Sequence, residues 1–226
     1  MITSAENRTL KLVRRLASAR QRQKLGLFVC EGEDLVDAAR GEGIEPVELL
    51  VAGENVEPQL LADVSTLGHP PRVIAIFRRE DLKRRDPPPT GLALWRVGDP
   101  GNVGTLIRTA DSLGPAFVAL SDGCADPTGP KAVRASMGAL FRVPLLAFEN
   151  APRPWIALVP RGGEDLSDLD GATFVLGAER EGLPEDVLAR CDLRATIRLA
   201  SGAESLNVAA AGAIALYEQT RRRSTA

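Results

Sequence analysis

Apolar positions along the chain follow an alternating pattern that is interrupted once, by a proline-rich break, and then resumes. In the first part Leu10, Val13, Leu16 and Ala17 recur at helical spacing, which predicts one amphipathic helix within residues 8–24. Leu27–Cys30, Val47–Ala52 and Val73–Phe77 read as strands, and Glu33–Arg40 reads as a helix closed by Gly41. The run Lys83-Arg84-Arg85-Asp86-Pro87-Pro88-Pro89-Thr90-Gly91 then supplies three consecutive prolines, which propagate neither a helix nor a central strand. A small α/β domain over 1–85, a linker over 86–91 and a second domain over 92–226 follow. In that second domain Leu92–Val97, Phe117–Leu120, Trp155–Val159 and Thr173–Leu176 are short apolar runs, most with helical stretches between them. This is the pattern of a parallel sheet covered on both faces, with its ligand site at the carboxyl ends of the strands.

Composition narrows the chemistry. No apolar run approaches the roughly 20 residues of a membrane helix, and the N-terminus lacks the apolar core of a signal peptide, so a cytoplasmic protein with no membrane partner is expected. Cys30, Cys124 and Cys191 form no Cys-x-x-Cys pair, and His69 is the single histidine. A zinc site, a multi-histidine metal centre and a Ser-His-Asp triad are thereby excluded, and no metal is expected. Aromatic residues make up 4% of the chain, too few for the stacking platforms of sheet-based RNA binders. The net charge of −2 hides a segregation: Arg8, Lys11, Arg14, Arg15, Arg20, Arg22 and Lys24 fall in one segment with no acidic residue, leaving the rest of the chain at −9. A purely basic segment is a candidate phosphate-binding surface, where an ordinary solvated face would mix signs.

Three further segments carry polar groups in suggestive places. In Val97-Gly98-Asp99-Pro100-Gly101-Asn102-Val103-Gly104-Thr105-Leu106-Ile107-Arg108 a strand runs through a Gly/Pro turn into a helix, with Asn102 at its start and Arg108 less than two turns on. Neither a dinucleotide fingerprint nor a P-loop is present there. In Leu176-Gly177-Ala178-Glu179-Arg180-Glu181-Gly182 a strand exits into a glycine-flanked acidic turn, with Glu179 as an acceptor at the strand tip. In Ile197-Arg198-Leu199-Ala200-Ser201-Gly202-Ala203-Glu204-Ser205-Leu206-Asn207, Ser205 is a good helix cap and the run Ala209–Ala213 beyond it is made of small residues. Each segment taken singly also fits an ordinary capped helix or strand exit.

Taken together, in order and spacing, the three segments resemble the motifs of the SpoU-type, or TrmH-like, RNA 2′-O-ribose methyltransferases of the SPOUT superfamily. The stretch Asp126-Pro127-Thr128-Gly129-Pro130-Lys131-Ala132-Val133-Arg134 through Ala139 looks like that family's connecting segment. Asn7–Lys11 and Phe28-Val29-Cys30-Glu31-Gly32 look like its N-terminal substrate-binding domain. The resemblance implies a parallel-sheet SPOUT domain tied into a deep trefoil knot, a homodimer whose site is completed across the interface, and S-adenosyl-L-methionine as cofactor. It assigns catalytic roles to Asn102, Arg108, Glu179, Ser205 and Asn207, and cofactor contacts to Leu176, Gly177, Ile197, Leu199, Ser205 and Leu206. RNA contacts fall to the basic segment and Arg134. By analogy, rRNA is favoured over tRNA, because the minimal family members that lack an N-terminal domain act on tRNA. Arg198 and Ser201 depart from the family's proline and glycine in the cofactor loop, and Gly202 is retained. The competing readings are a non-catalytic RNA-binding or cofactor-sensing protein on the same scaffold, and a methyltransferase acting on a small molecule.

Overall fold

A computed structural model describes residues 1–82, 86–169, 173–201 and 204–223. Lys83, Arg84 and Arg85, at the expected boundary, and Gly202, in the expected cofactor loop, lie outside the described residues. The chain forms two compact units, the first made of Met1–Lys83 with Asp126–Arg142 and the second of Arg84–Ala125 with Val143–Ala226. Residues 126–142 thus leave the second half of the sequence and pack with the first, an excursion that the contiguous division of the sequence did not foresee.

The chain begins with two helices, α1 (Arg8–Leu16) and α2 (Ala19–Leu25), where the periodicity predicted one. Asn7 caps α1 by accepting from the Thr9 N–H, and Ser18 takes an extended conformation that starts α2. The break has a physical cause in Arg22, whose Nη1 donates to the carbonyls of Leu16 and Ala17, both at 2.9 Å, and so satisfies the end of α1 from outside it. There follow β1 (Leu27–Glu31), α3 (Glu33–Gly41), β2 (Glu48–Val51), α4 (Pro58–Ala62) and β3 (Val73–Arg78). The three strands make an antiparallel sheet in the order β1-β3-β2, with Phe28 opposite Phe77 and Leu49 opposite Ala75. Alternation along the strands gives the sheet two apolar faces. Val29, Leu50, Ile74 and Ile76 pack with Leu10, Val13 and Leu16 of α1, while Phe28 and Phe77 turn the other way.

The second unit opens with β4 (Gly91–Leu94), α5 (Pro100–Ser112) and β5 (Phe117–Leu120). The excursion then adds α6 (Pro130–Ser136) and a 3-10 turn to the first unit, where Phe141 meets Phe77 at 5.2 Å and Phe28 at 6.1 Å between ring centroids. Back in the second unit come β6 (Leu145–Ala147), β7 (Trp155–Leu158), β8 (Glu164–Asp165), β9 (Thr173–Leu176), α7 (Glu185–Leu188), β10 (Leu193–Thr196) and α8 (Val208–Arg223). All seven strands pair in parallel, in the order β6-β5-β4-β9-β7-β10-β8. On one face Ala93, Ala119 and Val175 pack with Phe148, Trp155 and Val187. On the other, Gly212 of α8 sits so close that a Cβ would overlap a methyl group of Leu106, with Leu92 and Leu176 just beyond. Gly212 is thus used for close packing inside one protomer, while Ala210 of the same helix is exposed.

The first unit hinges on a buried ion pair. Arg22 is 4% exposed, and its Nε and Nη2 reach one carboxylate oxygen of Asp126 at 2.9 and 2.8 Å. Burial raises the Asp126 pKa, but the Thr128 hydroxyl and N–H, with the Arg79 and Arg22 cations, outweigh it and leave the carboxyl below its usual value. A carboxyl with a depressed folded-state pKa contributes stability above its ordinary value near pH 4, and that contribution is lost as pH falls through the folded value. Arg22→Gln should therefore destabilise the first unit by about 3–5 kcal/mol at neutral pH, read by hydrogen exchange of the β1 and β3 amides, with the deficit shrinking below about pH 4. Arg14→Gln on the exposed face should change stability by less than about 0.5 kcal/mol.

Candidate active site

At the carboxyl end of β4 the chain turns through Gly98 and enters α5, whose first helical residue is Pro100. Asp99 is the cap: its carboxylate accepts from the Asn102 N–H at 3.0 Å. The positive end of α5 is therefore already answered by the Asp99 carboxylate. Asn102 lies in the first turn, and its Nδ2 donates to Glu179 Oε1 at 2.8 Å from the exit of β9. Its Oδ1 accepts from Asn207 Nδ2 at 3.2 Å. Asn207 in turn caps α8, with Oδ1 accepting from the Ala209 N–H at 2.8 Å and the Ala210 N–H at 3.4 Å. The cap of α8 is thus Asn207, where Ser205 was expected, because α8 starts at Val208.

The direction of this chain is fixed at both ends. A helix N–H can only donate, so Asn207 must present Oδ1 to α8 and Nδ2 to Asn102. An ionised carboxylate can only accept, so Asn102 must present Nδ2 to Glu179 and Oδ1 to Asn207. The two requirements agree, and three motifs far apart in sequence are locked by two side-chain amides.

Two clefts flank this chain. One, of about 390 Å³, is lined by Leu176, Gly177, Ile197, Leu199, Ser205 and Leu206 together with Leu158, Val159, Pro160, Leu183 and the turn 178–182. All six residues expected to contact a cofactor therefore line one cleft. Its size and largely apolar lining suit a small organic molecule. A Cβ on Gly177 would collide with the backbone of Gly182, so the turn folds back on itself only because residue 177 has none. The second cleft is lined by Arg96, Gly98, Asp99 and Asn102 on one side and by Ala178, Glu179, Arg180 and Glu181 on the other. The segment Ala178–Glu181 borders both clefts, so Glu179 stands in the wall they share.

Other expected site residues fall elsewhere. Arg108 is exposed on α5 and lines neither cleft. Arg8, Lys11, Arg14, Arg15, Arg20 and Lys24 are exposed. Arg22 is not, and its guanidinium is committed to Asp126 and the end of α1, which removes it from the expected RNA-binding set. Arg134 donates to Thr66 Oγ1 at 2.8 Å, and the same Thr66 hydroxyl and N–H are bound by the buried Glu31. Arg198, which departs from the family's proline, is exposed and paired with Asp165. The Ser167 hydroxyl and N–H, with Arg198, hold that carboxyl below its usual value. Sequence reasoning missed Arg96 and Arg180, whose one signal was a basic residue beside each strand-exit turn. Among the described residues no cluster of His, Cys, Asp and Glu could hold a metal, and no helix is long and apolar enough to cross a membrane.

At the strand ends of this parallel α/β sheet two clefts thus share one wall, Ala178–Glu181, which carries two carboxylates. The chain belongs to the SpoU rRNA methylase family, whose sequence pattern matches residues 89–217. It is 31% identical to an uncharacterized tRNA/rRNA methyltransferase of Synechocystis over 98% of this chain and 94% of the relative. It is 30% identical to the 23S rRNA (guanosine(2553)-2′-O)-methyltransferase RlmP of Bacillus subtilis, over 96% of this chain and 97% of that protein. Among solved structures, the AdoMet-bound rRNA methyltransferase of Sinorhizobium meliloti superposes with a TM-score of 0.86 at 28% identity, over 98% of this chain and 97% of that one.

The two functions of Asn207 are separable. Asn207→Asp keeps an acceptor for the α8 cap but loses the donor to Asn102, so thermal stability should stay near wild type while methyl transfer falls by about 10²-fold. Asn207→Ala should lose the same activity and also about 1 kcal/mol of stability. Equal stability losses in the two variants, measured by urea denaturation, would show that the cap contributes nothing.

Proposed function

We propose that this protein transfers a methyl group from S-adenosyl-L-methionine to a ribose 2′-hydroxyl of RNA, with rRNA favoured over tRNA. The observation that carries this reading is the shared wall at Glu179, tied through Asn102 and Asn207 to the start of α8. The 2′-O specificity and the rRNA substrate are supported by the name of the Bacillus subtilis relative. An RNA substrate also goes with a cytoplasmic site of action.

Leu176, Gly177, Ile197, Leu199, Ser205 and Leu206 would hold the cofactor in the first of the two clefts, whose lining mixes apolar side chains with a few polar groups. When bound, S-adenosyl-L-methionine supplies the methyl on a sulfonium, ready for in-line displacement. The protein's part is alignment and charge. Asn102 and Glu179 line the acceptor cleft in fixed orientations, so a hydroxyl placed there meets preset partners. Its proton then has three routes, to Glu179, to an RNA phosphate oxygen or to water. Arg108 is no candidate base, since a guanidinium stays protonated in proteins. Its role is to stabilise negative charge on the acceptor oxygen or the adjacent phosphate. Because it lines neither cleft of its own protomer, we place it in the partner's site across a homodimer interface that includes the exposed Ala210 and Tyr217 of α8. The insertion of β9 between β4 and β7 supports the family's trefoil knot in this unit. The exposed cations of α1 and α2 supply affinity for the RNA backbone.

The direct test is calorimetric titration with S-adenosyl-L-methionine, followed by transfer of labelled methyl to protein-free rRNA and tRNA and digestion to nucleosides. Label in 2′-O-methyl nucleosides of rRNA is expected, whereas cofactor binding without transfer to any RNA would favour the non-catalytic alternative. Arg108→Lys should bind cofactor as wild type does and lose at least about 10²-fold in turnover; unchanged turnover would exclude the assigned role. Replacing Arg8, Arg14, Arg15 and Arg20 together by Gln should make RNA affinity less salt-dependent, by about 0.7–0.9 in log–log slope for each phosphate no longer neutralised, with cofactor affinity unchanged.

A further inference from the structure

Arg96 occupies an unusual backbone position. It follows β4 by two residues and takes φ = +53°, the left-handed region, in which only one other described non-glycine residue, Met137, is found. Glycine or asparagine would sit there without strain, while a long side chain adopts it at a cost. The strain is held by the surroundings. The Arg96 N–H donates to Ser121 Oγ at 2.9 Å. Its stem lies over Gly123, where a Cβ would stand 3.3 Å from Cγ and 3.6 Å from Nε. Gly123 itself has φ = +88°, so its bare backbone forms the surface on which the arginine rests.

The charge that this arrangement presents is not used within the described structure. Among the described residues the Arg96 guanidinium has neither a hydrogen-bond acceptor nor an ion-pair partner, although Asp99, Glu179 and Glu181 line the same cleft. Two of those carboxylates are engaged, Asp99 in capping α5 and Glu179 with Asn102. A cleft bordered by three carboxylates repels a phosphodiester unless cations offset them, and the cations that line it are Arg96 and Arg180.

We infer that Arg96 binds the RNA backbone in the acceptor cleft, taking a phosphate next to the ribose whose 2′-hydroxyl is set against Asn102 and Glu179. The inference rests on the reading of this cleft as the RNA side of a methyltransferase site. Arg96 is a substrate-positioning residue: it fixes which sugar of a single strand comes to the shared wall. Its strained backbone is then retained for function, and relieving the strain should separate stability from activity.

The test uses the full-length protein with Arg96→Asn and Arg96→Lys, and protein-free rRNA as the probe. Asparagine suits the left-handed conformation, so Arg96→Asn should melt at or above the wild-type temperature and bind S-adenosyl-L-methionine equally well. Its KM for rRNA should rise about tenfold, with kcat changed less than about threefold, and the salt dependence of rRNA binding should become shallower by about 1 in log–log slope. Arg96→Lys keeps the charge and should restore the salt slope. An unchanged slope and KM in Arg96→Asn would overturn the inference, as would a joint fall in melting temperature and cofactor affinity, which would mark Arg96 as structural. Because the slope is read from binding, a wild-type protein that bound rRNA and methylated none of it would contradict the methyltransferase reading, while the slope comparison would still decide on Arg96.

Discussion

The second unit depends on a short chain of hydrogen bonds in which each amide has one permitted orientation. From the first turn of α8 the polarity runs through Asn207 and Asn102 to Glu179, and it joins the ends of β4 and β9 to the start of the C-terminal helix. Each link is a modest interaction taken alone, worth on the order of 1 kcal/mol. Its importance lies in the agreement of the two ends. A helix N–H at one end and a carboxylate at the other leave no freedom to flip either amide, so the wall between the two clefts is preset before any ligand arrives.

The same logic, at higher energy, organises the first unit. Arg22 lies in a segment that otherwise offers its cations to solvent, yet it turns inward to end α1 and to meet Asp126. Removing water from both charges is unfavourable, and the geometry compensates by giving every guanidinium nitrogen and both carboxylate oxygens a partner. One arginine thereby fixes both the break between two helices and the attachment of residues 126–142. The other cations of the segment are exposed, so a single run of similar residues divides by burial into one structural member and a solvent-facing group.

Much of this was legible in the sequence. Strands β1, β3, β5 and β9 were visible as apolar runs, most of them bounded by glycine or proline, and the second and third motifs gave residues that line the 390 Å³ cleft. Less legible was whatever depends on partners distant along the chain. Nothing local distinguishes Arg22 from Arg20 or Lys24, because its partner Asp126 lies far along the sequence, beyond the proline-rich break. The cap of α8 is Asn207 and not Ser205 because the helix begins at Val208, and the bond from Asn207 to Asn102 is a partner that capping preference does not contain. Arg108 took its expected role from the motif alone, and the motif does not show that it lies outside both clefts lined by its own protomer. Arg96 was passed over because only the backbone conformation at that point makes it notable.

The central claim is that Asn102 and Asn207 act as one device, and a double-mutant cycle on turnover measures this most directly. Asn102→Ala and Asn207→Asp would be assayed singly and together for methyl transfer to rRNA at saturating cofactor. If the hydrogen-bond chain works as a unit, the double variant should be about as slow as the worse single one, since breaking either link already frees Glu179 from the start of α8. Losses that simply multiply in the double variant would show two independent residues, and would contradict the account.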